Sequence, residues 1–317
     1  MSESHLLKTT VSVIIPTKNE EQVIHECLSL VFNQSLKPLE VIIIDGRSTD
    51  ATLKKARQFP VKVITEEEPT SLPNARNLGI GNAKGEVILI MDADVILDKN
   101  CIKNAVKYFE DTNIKAVIPS EQNVAHTYLE KIQIEWLRGT ANPLRMGVGI
   151  SSFVEFFRKM VFEKIKFDSD LGYGEDMDFQ QRLKGLYRGA GKIIHAYDST
   201  ISVHFPHTFK ELRSQYTWYG RTFKRYFAKD TSLKTILNLG SLVTPTILLV
   251  LGFLTLFFAS ALPLLVLVFA LLVARNLIAC YRSKSIHFVE FIGFEFVRSL
   301  FFVMGITQGL FSKKRGK

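Results

Sequence analysis

Asp92-Ala93-Asp94 stands directly after the apolar run Val87-Ile88-Leu89-Ile90-Met91. Two carboxylates at i and i+2 on a tight turn can reach one hard cation, Mg²⁺ or Mn²⁺, that keeps water and phosphate oxygens as its other ligands. Such an ion would neutralise charge developing on a leaving diphosphate. The same tripeptide would serve equally as a solvated loop or a helix cap. Asp45-Gly46-Arg47-Ser48-Thr49-Asp50 follows a second apolar run, Val41-Ile42-Ile43-Ile44. Asp45 could accept a hydrogen bond from a nucleobase N–H, the polar contact that selects a pyrimidine. Asp50, before Ala51, reads as a helix N-cap. In Ala75-Arg76-Asn77-x-Gly79, Arg76 could meet a phosphate, orient Asp92 or Asp45, or lie on the surface.

A second acidic element is Gly172-Tyr173-Gly174-Glu175-Asp176. A carboxylate at a helix start, reached through glycines that let a substrate approach, suits a general base; acidic residues also cap helices against the macrodipole. His204 could complete a metal site begun by Asp94 or serve the fold. Gln215-Tyr216-x-Trp218-Tyr219-Gly220-Arg221 joins a planar cation to aromatic surface. It could close over a diphosphate, anchor in lipid headgroups, or both.

These groups need elements to hold them. Val11–Ile15, Val41–Ile44, Val61–Thr65 and Val87–Met91 read as strands, alternating with helices around 23–31, 51–59 and, more weakly because of Gly79 and Gly81, 75–83. Fully apolar strands alternating with helices predict a parallel, doubly wound α/β sheet, in which ligands bind beyond the carboxyl ends of the strands. From Lys99 the pattern mixes: helices over 101–109, 128–138 and 175–184, and strands over 115–118, 192–195 and 200–203, with Ser151–Phe157 between. Phe209–Phe227 is aromatic and basic, a helix suited to the headgroup layer.

The chain has 317 residues, 47% hydrophobic, with a net charge of +9. Content this apolar excludes disorder as its main character. Three dispersed cysteines argue against a disulfide framework or a Cys-based zinc site. Residues 1–203 carry 25 Lys+Arg against 27 Asp+Glu, residues 204–234 carry 7 against 2, and residues 275–317 carry 8 against 2. Between these basic clusters lie 40 uncharged residues, Thr235–Ala274. As one helix they would span ~60 Å, twice a ~30 Å hydrocarbon core, so two crossings fit, about 242–259 and 262–280, with the turn near Pro263. A buried soluble hairpin is the alternative. Basicity beside the membrane follows the positive-inside rule and excludes nucleic acid as the partner. Met1–Thr10 is too polar for a signal peptide. The expectation is therefore a multi-pass protein of the cell membrane. It has a cytoplasmic domain over 1–208, a juxtamembrane amphipathic segment over 209–234 and a membrane region over 235–317. Ile286–Leu310 contains Glu290, Glu295 and Arg298 and is expected as an interfacial or re-entrant helix, which keeps Lys313-Lys314-Arg315 on the cytoplasmic side; a third crossing would need the Glu–Arg pairs to face protein.

Val-Ile-Ile-Pro-Thr-Lys-Asn-Glu-Glu, Ile-Ile-Asp-Gly-Arg-Ser-Thr-Asp-Ala-Thr, Ala-Arg-Asn-x-Gly, Asp-Ala-Asp and Gly-Glu-Asp, in this order, resemble family 2 glycosyltransferases of the GT-A fold over roughly residues 10–225. The resemblance implies a GT-A-like doubly wound mixed sheet, followed here by a C-terminal transmembrane hairpin and the interfacial or re-entrant helix. It implies inverting, hexosyltransferase-like transfer from a UDP- or GDP-type nucleotide-diphosphate sugar, with Mg²⁺ or Mn²⁺. It carries Pro16, Thr17, Asn19, Glu20 and Asp45 to the nucleoside pocket with Arg76 nearby, Asp92 and Asp94 to the ribose and metal-diphosphate positions, and Asp176 to the catalytic base beside Glu175. Gln215, Trp218 and Arg221 are similar to a substrate-binding segment of membrane-bound polysaccharide synthases. Where the family usually reads Asp-Asp-Gly-Ser, this chain has Asp45-Gly46-Arg47-Ser48, which removes one carboxylate and adds a cation.

With about two crossings, single-sugar addition to a hydroxyl of a lipid-linked or membrane-proximal glycan acceptor fits better than processive synthesis. The rival readings are a polyprenyl-phosphate sugar synthase, whose anionic acceptor needs no base, a nucleotidyltransferase with the same carboxylate layout, and a membrane-tethered nucleotide-sugar-binding protein without transfer activity.

Overall fold

The computed structural model describes residues 9–67, 71–140, 153–188, 191–231 and 233–311. The start of Met1–Thr10, Ser151 and the basic tail Lys313–Arg315 lie outside the described residues. The chain divides into two compact units: one from the described residues of Met1–Asn123, Ile150–Leu171 and Glu175–His204, the other from those of Val124–Gly149, Gly172–Gly174 and Phe205–Lys317.

The first unit is built on β1 (Val11–Thr17), α1 (Ile24–Phe32), β2 (Glu40–Asp45), α2 (Thr52–Ala56), β3 (Lys62–Thr65), α3 (Leu72–Asn82) and β4 (Val87–Met91). After them come β5 (Val95–Leu97), α4 (Cys101–Val106) and β6 (Ile114–Glu121); α5 (Tyr128–Thr140) belongs to the second unit, and the chain returns with β7 (Val154–Arg158), α6 (Val161–Lys164), α7 (Glu175–Leu186) and β8 (Lys192–Val203). Among the described residues the sheet runs β3-β2-β1-β4-β7-β6-β8-β5. The first four strands are parallel, as their continuous apolar runs require when helices cover both faces. Every residue of β1 and β4 is buried.

The sheet is mixed, as the resemblance implies, because β7 runs antiparallel to both β4 and β6, and β5 to β8. Two local readings change. The separate strands at 192–195 and 200–203 are one strand, whose register against β6 shifts between Pro119 and Ser120. Helix α3 is firm despite its glycines: a Cβ on Gly79 would come within 2.4 Å of Ile14 Cγ2, so the missing side chain is what lets α3 lie tightly on β1.

The second unit is helical: α5 (Tyr128–Thr140), α8 (Phe209–Lys229), α9 (Leu233–Thr255), α10 (Leu262–Ser283) and α11 (Phe288–Phe311). Buried Phe291, Phe294, Glu295, Arg298, Phe302 and Gly305 recur at helical spacing along α11, so one stripe of it faces protein. Glu295 is fully buried there and accepts from Trp136 Nε1 and Asn276 Nδ2, each at 3.0 Å. It also pairs with Arg275, and the Arg298 guanidinium lies 4.2 Å from the Trp136 ring centre. Pro263 falls in the first turn of α10, where its missing N–H costs nothing, so the reversal precedes it at 256–261. Among the described residues one helix, Leu262–Ser283, is long and apolar enough to cross a membrane; the apolar part of α9, Leu242–Thr255, is shorter.

Candidate active site

Parallel pairing sets the carboxyl ends of β2, β1 and β4 side by side. Thr17 pairs with Asp45, and Ile14 with Ile90, which brings Pro16, Asp45 and Asp92 to one edge. Asp45 and Asp92 stand two strand spacings apart, ~10 Å. β7 enters antiparallel, with Val154 opposite Met91, so the Phe153 N–H meets Asp92 Oδ2 at 3.2 Å.

Arg76 organises this edge. Its side chain is 1% exposed; Nη2 donates to Asp92 Oδ1 at 2.8 Å and Nη1 to Glu175 Oε1 at 2.5 Å. The guanidinium lies 4.5 Å from the Phe153 ring centre and 5.5 Å from that of Phe167. Burial works against its charge, but Glu175 and Asp92 outweigh that and hold it firmly protonated. Of the roles open to Arg76 in the sequence, orienting Asp92 is the one the geometry displays. Asp176, next along α7, is half-buried; burial raises its carboxyl above the usual range, Arg76 pulls it down and Asp92 pushes it up. Burial likewise lifts Glu175 to about 8 against the pull of Arg76. Glu20 rises to about 7 through burial and then the charges of Asp92 and Asp50. Asp92, Arg76, Glu175, Asp176 and Glu20 therefore share one electrostatic neighbourhood, and it is short of positive charge.

At the β2 end, Asp45 is fully buried and Oδ1 accepts from the Ser48 N–H at 3.1 Å. Asn19 adopts φ 60°; its N–H donates to Ser48 Oγ at 3.0 Å and its Oδ1 accepts from the Thr49 N–H at 2.8 Å. The Glu20 N–H donates to Thr52 Oγ1 at 2.7 Å. Asp50 accepts from the Thr52 and Glu21 N–H groups and so braces the loop, but the N-cap position expected of it falls to Ala51. Pro16 and Thr17 are buried in the strand end.

The His204 N–H donates to the Asp94 carbonyl at 2.9 Å, while its ring nitrogen Nε2 stands 3.2 Å from Glu26 Oε2. The ring thus pairs with a carboxylate that the sequence reading passed over. Among the described residues no three His, Cys, Asp or Glu side chains form a group able to hold a metal ion. The Asp-x-Asp turn nonetheless fits a divalent cation that arrives with a diphosphate: its donors are hard oxygens, and the carboxyls of Glu20, Glu175 and Asp176 around it are raised first by burial and then by neighbouring negative charge.

Gln215, Trp218 and Arg221 lie on α8 in the second unit. There Arg221 Nη2 donates to Gln308 Oε1 at 2.7 Å, and Trp218 tilts against Tyr219 at 5.6 Å. Gly174 has φ +80°, and a Cβ on it would sit 2.7 Å from the Tyr226 ring, so the glycine before Glu175 is required by both conformation and space. Glu155 was missed by sequence reasoning. It is buried on β7, takes a hydrogen bond from Gln180 on α7, and is lifted to about 8 by burial. A lone acid inside Val154-Glu155-Phe156-Phe157 was its available signal.

Residues 12–163 match the family model described as Glycosyl transferase family 2. That match covers just under half of the chain and marks this segment as similar to family 2 glycosyltransferases. The chain is 30% identical over 198 residues to the Methanococcus voltae dolichyl N-acetyl-alpha-D-glucosaminyl phosphate 3-beta-D-2,3-diacetamido-2,3-dideoxy-beta-D-glucuronosyltransferase, covering 55% of this chain and 61% of that one. It is 40% identical over 91 residues to dolichol-phosphate mannosyltransferase of Pyrococcus furiosus, covering 27% and 26%. The chain spans less than two thirds of the length of the first curated relatives it matches. The solved mannosyltransferase PcManGT from Pyrobaculum calidifontis, in complex with GDP-Man and Mn²⁺, aligns with TM-score 0.59 at 20% identity over 96% of this chain and 88% of that one. The curled mixed sheet therefore matches GT-A glycosyltransferase structures. These relatives and this neighbour are glycosyltransferases, consistent with a transferase enzyme.

Proposed function

We propose that the chain is an inverting, metal-dependent glycosyltransferase. It moves a sugar from a nucleotide-diphosphate donor to a hydroxyl of a lipid-linked or membrane-proximal glycan. The observation that carries this reading is Arg76, which ties Asp92 at the end of β4 to Glu175 at the start of α7. It unites the donor-side and acceptor-side acids within one unit.

Asp45, Asn19, Pro16 and Thr17 bound the nucleoside, and Asp92 the ribose. Asp94, beside the diphosphate, would hold Mg²⁺ or Mn²⁺, which when bound neutralises charge on the leaving group; His204 could assist only by turning from Glu26. Asp176 takes the acceptor hydroxyl proton as that oxygen attacks the anomeric carbon. Its raised affinity for protons, from burial, makes it a better base than a solvated aspartate. Glu175 stays engaged with Arg76 and keeps the α7 start in place. Gln215, Trp218 and Arg221 on α8 are kept as proposed substrate-binding or headgroup-anchoring residues of the helical unit.

Membrane attachment through α10 is supported by its 22-residue apolar length, and a dolichyl-linked relative supports a lipid-linked acceptor. The second crossing through α9, the cytoplasmic placement of the catalytic unit and an α11 lying at the interface belong to the same proposal. A second reading, a polyprenyl-phosphate sugar synthase, is favoured by the Pyrococcus furiosus relative.

The test is direct. Detergent-solubilised protein is given GDP- and UDP-sugars, Mn²⁺ and a polyprenyl-linked glycan or polyprenyl phosphate, and products are separated by chromatography. Free nucleoside diphosphate with a glycosylated acceptor is expected. Pyrophosphate release, or donor binding without turnover, overturns the proposal.

A further inference from the structure

Glu155 is the one acid of β7, which reads Val154-Glu155-Phe156-Phe157-Arg158. It stands opposite Ile90 of β4, and Phe157 stands opposite Ile88. Alternate strand residues share a face, so Glu155 lies on the face where Ile88, Ile90, Phe157 and Phe179 of α7 join one buried apolar cluster. It is 1% exposed. Asp176, Gln180 and Lys184 recur at every fourth position of α7 and so form one stripe along that helix. All three act on Glu155. Gln180, in the middle, donates through Nε2 to Glu155 Oε1. The charges of Asp176 and Lys184 reach the same carboxyl from the turns before and after, and that of Arg76 from α3. The positions of β4 and β6 paired with β7 here, Ile88, Ile90, Ala116 and Val117, are apolar. Among the described residues Glu155 Oε2 has no hydrogen-bond partner.

We propose that Glu155 is a positioning residue for Asp176: through Gln180 it fixes the first turns of α7 on the sheet, so that the Asp176 carboxylate keeps its place near Arg76 and Asp92. This rests on the reading of Asp176 as the base. The apolar contacts of Phe179 and Leu183 hold α7 against the sheet but are non-directional, so they leave its rotation loosely set. A hydrogen bond one turn from Asp176 is directional and sets it. Glu155 serves best as a neutral acid. Uncharged, it lies beside Ile90 and Phe157 at small cost; ionised, it becomes a buried anion facing Asp176 and repels that base from its place. Burial lifts its carboxyl to about 8, so the arrangement holds at neutral pH and fails as pH rises through that value.

The experiment is initial-rate kinetics of the full chain in detergent, with GDP- and UDP-sugars, Mn²⁺ and a polyprenyl-linked glycan, well below the melting temperature. Wild type, Glu155→Leu and Glu155→Gln are compared. Leucine suits the apolar face, so Glu155→Leu should melt no lower than wild type, yet its kcat should fall roughly 10–100-fold with the donor KM within a few-fold. Glu155→Gln still accepts from Gln180. It should restore kcat near neutral pH and lack the roughly 10-fold loss that wild type shows on going one pH unit above the Glu155 value of about 8. Wild-type kcat in Glu155→Leu, or an alkaline loss kept in Glu155→Gln, overturns the positioning role while the transferase reading stands. Should Glu155→Leu melt below wild type, the Glu155→Gln profile decides alone. Wild-type protein that turns over no donor rejects both.

Discussion

Arg76 Nη1 and Glu175 Oε1 lie 2.5 Å apart, joining side chains 99 positions apart in the chain, and both are buried. Removing one partner of such a pair strands the other charge in low dielectric. Arg76→Leu would leave Asp92 and Glu175 without their cation. It is expected to destabilise the protein by about 3–5 kcal/mol, read as a lower denaturation midpoint. Glu175→Gln, which keeps an acceptor for Arg76, should cost less than half of that.

Asp176→Asn keeps the shape of the side chain and removes its basicity. Transfer to a hydroxyl acceptor should fall by roughly 10²–10⁴-fold while donor affinity stays within a few-fold, measured by nucleoside diphosphate release and by titration. Retained turnover with polyprenyl phosphate as acceptor would favour the synthase reading.

Glu155 gives a signed pH dependence. Burial lifts its carboxyl from 4.5 to about 8, so between those values the folded state keeps a proton that the unfolded chain releases. The group therefore makes stability fall as pH rises through that window. Glu155→Gln removes the penalty. Its unfolding free energy should exceed wild type at pH 8, by up to about 4 kcal/mol, and come within about 1 kcal/mol of it near pH 5, followed through the two melting temperatures. An equal slope in both proteins would reject this account.

Chelation by EDTA should abolish transfer and Mn²⁺ should restore it. Asp94→Asn is expected to weaken Mn²⁺ binding to the nucleotide-loaded protein about 10-fold or more, counted from the free Mn²⁺ resonance signal. Unchanged Mn²⁺ affinity would remove Asp94 from the coordination shell.

In the helical unit, a Cβ on Gly305 would come within 2.1 Å of the Thr217 carbonyl oxygen, and one on Gly220 within 1.9 Å of the Phe302 carbonyl oxygen. Helices α8 and α11 meet backbone to backbone at these glycines. Gly305→Val should force them apart and cost about 1–3 kcal/mol or more, seen as a lower melting temperature in detergent. Gly252, whose Cβ would have nothing within 4 Å, should tolerate the same change.

The parallel half of the sheet was legible because burial on both faces forces continuous apolar runs, and Val41–Ile44 and Val87–Met91 are such runs. Strand ends then pointed to Asp45 and Asp92 without further information. β7 and β5 were not legible as antiparallel, since an apolar strand reads the same in either direction. The role of Glu155 stayed hidden for a related reason: its partner Gln180 lies on a helix 25 residues away.

From residue order alone came the α/β class, the acids at the strand ends and the long uncharged segment, because each depends on neighbours in the chain. Tertiary structure alone decided that Arg76 binds Asp92 and Glu175 together, that His204 turns its ring to Glu26, and that Gln180 on α7 binds Glu155 on β7. Those pairings are set by which strand ends and helix starts come into contact. Local pattern carries no record of that contact until the sheet is assembled.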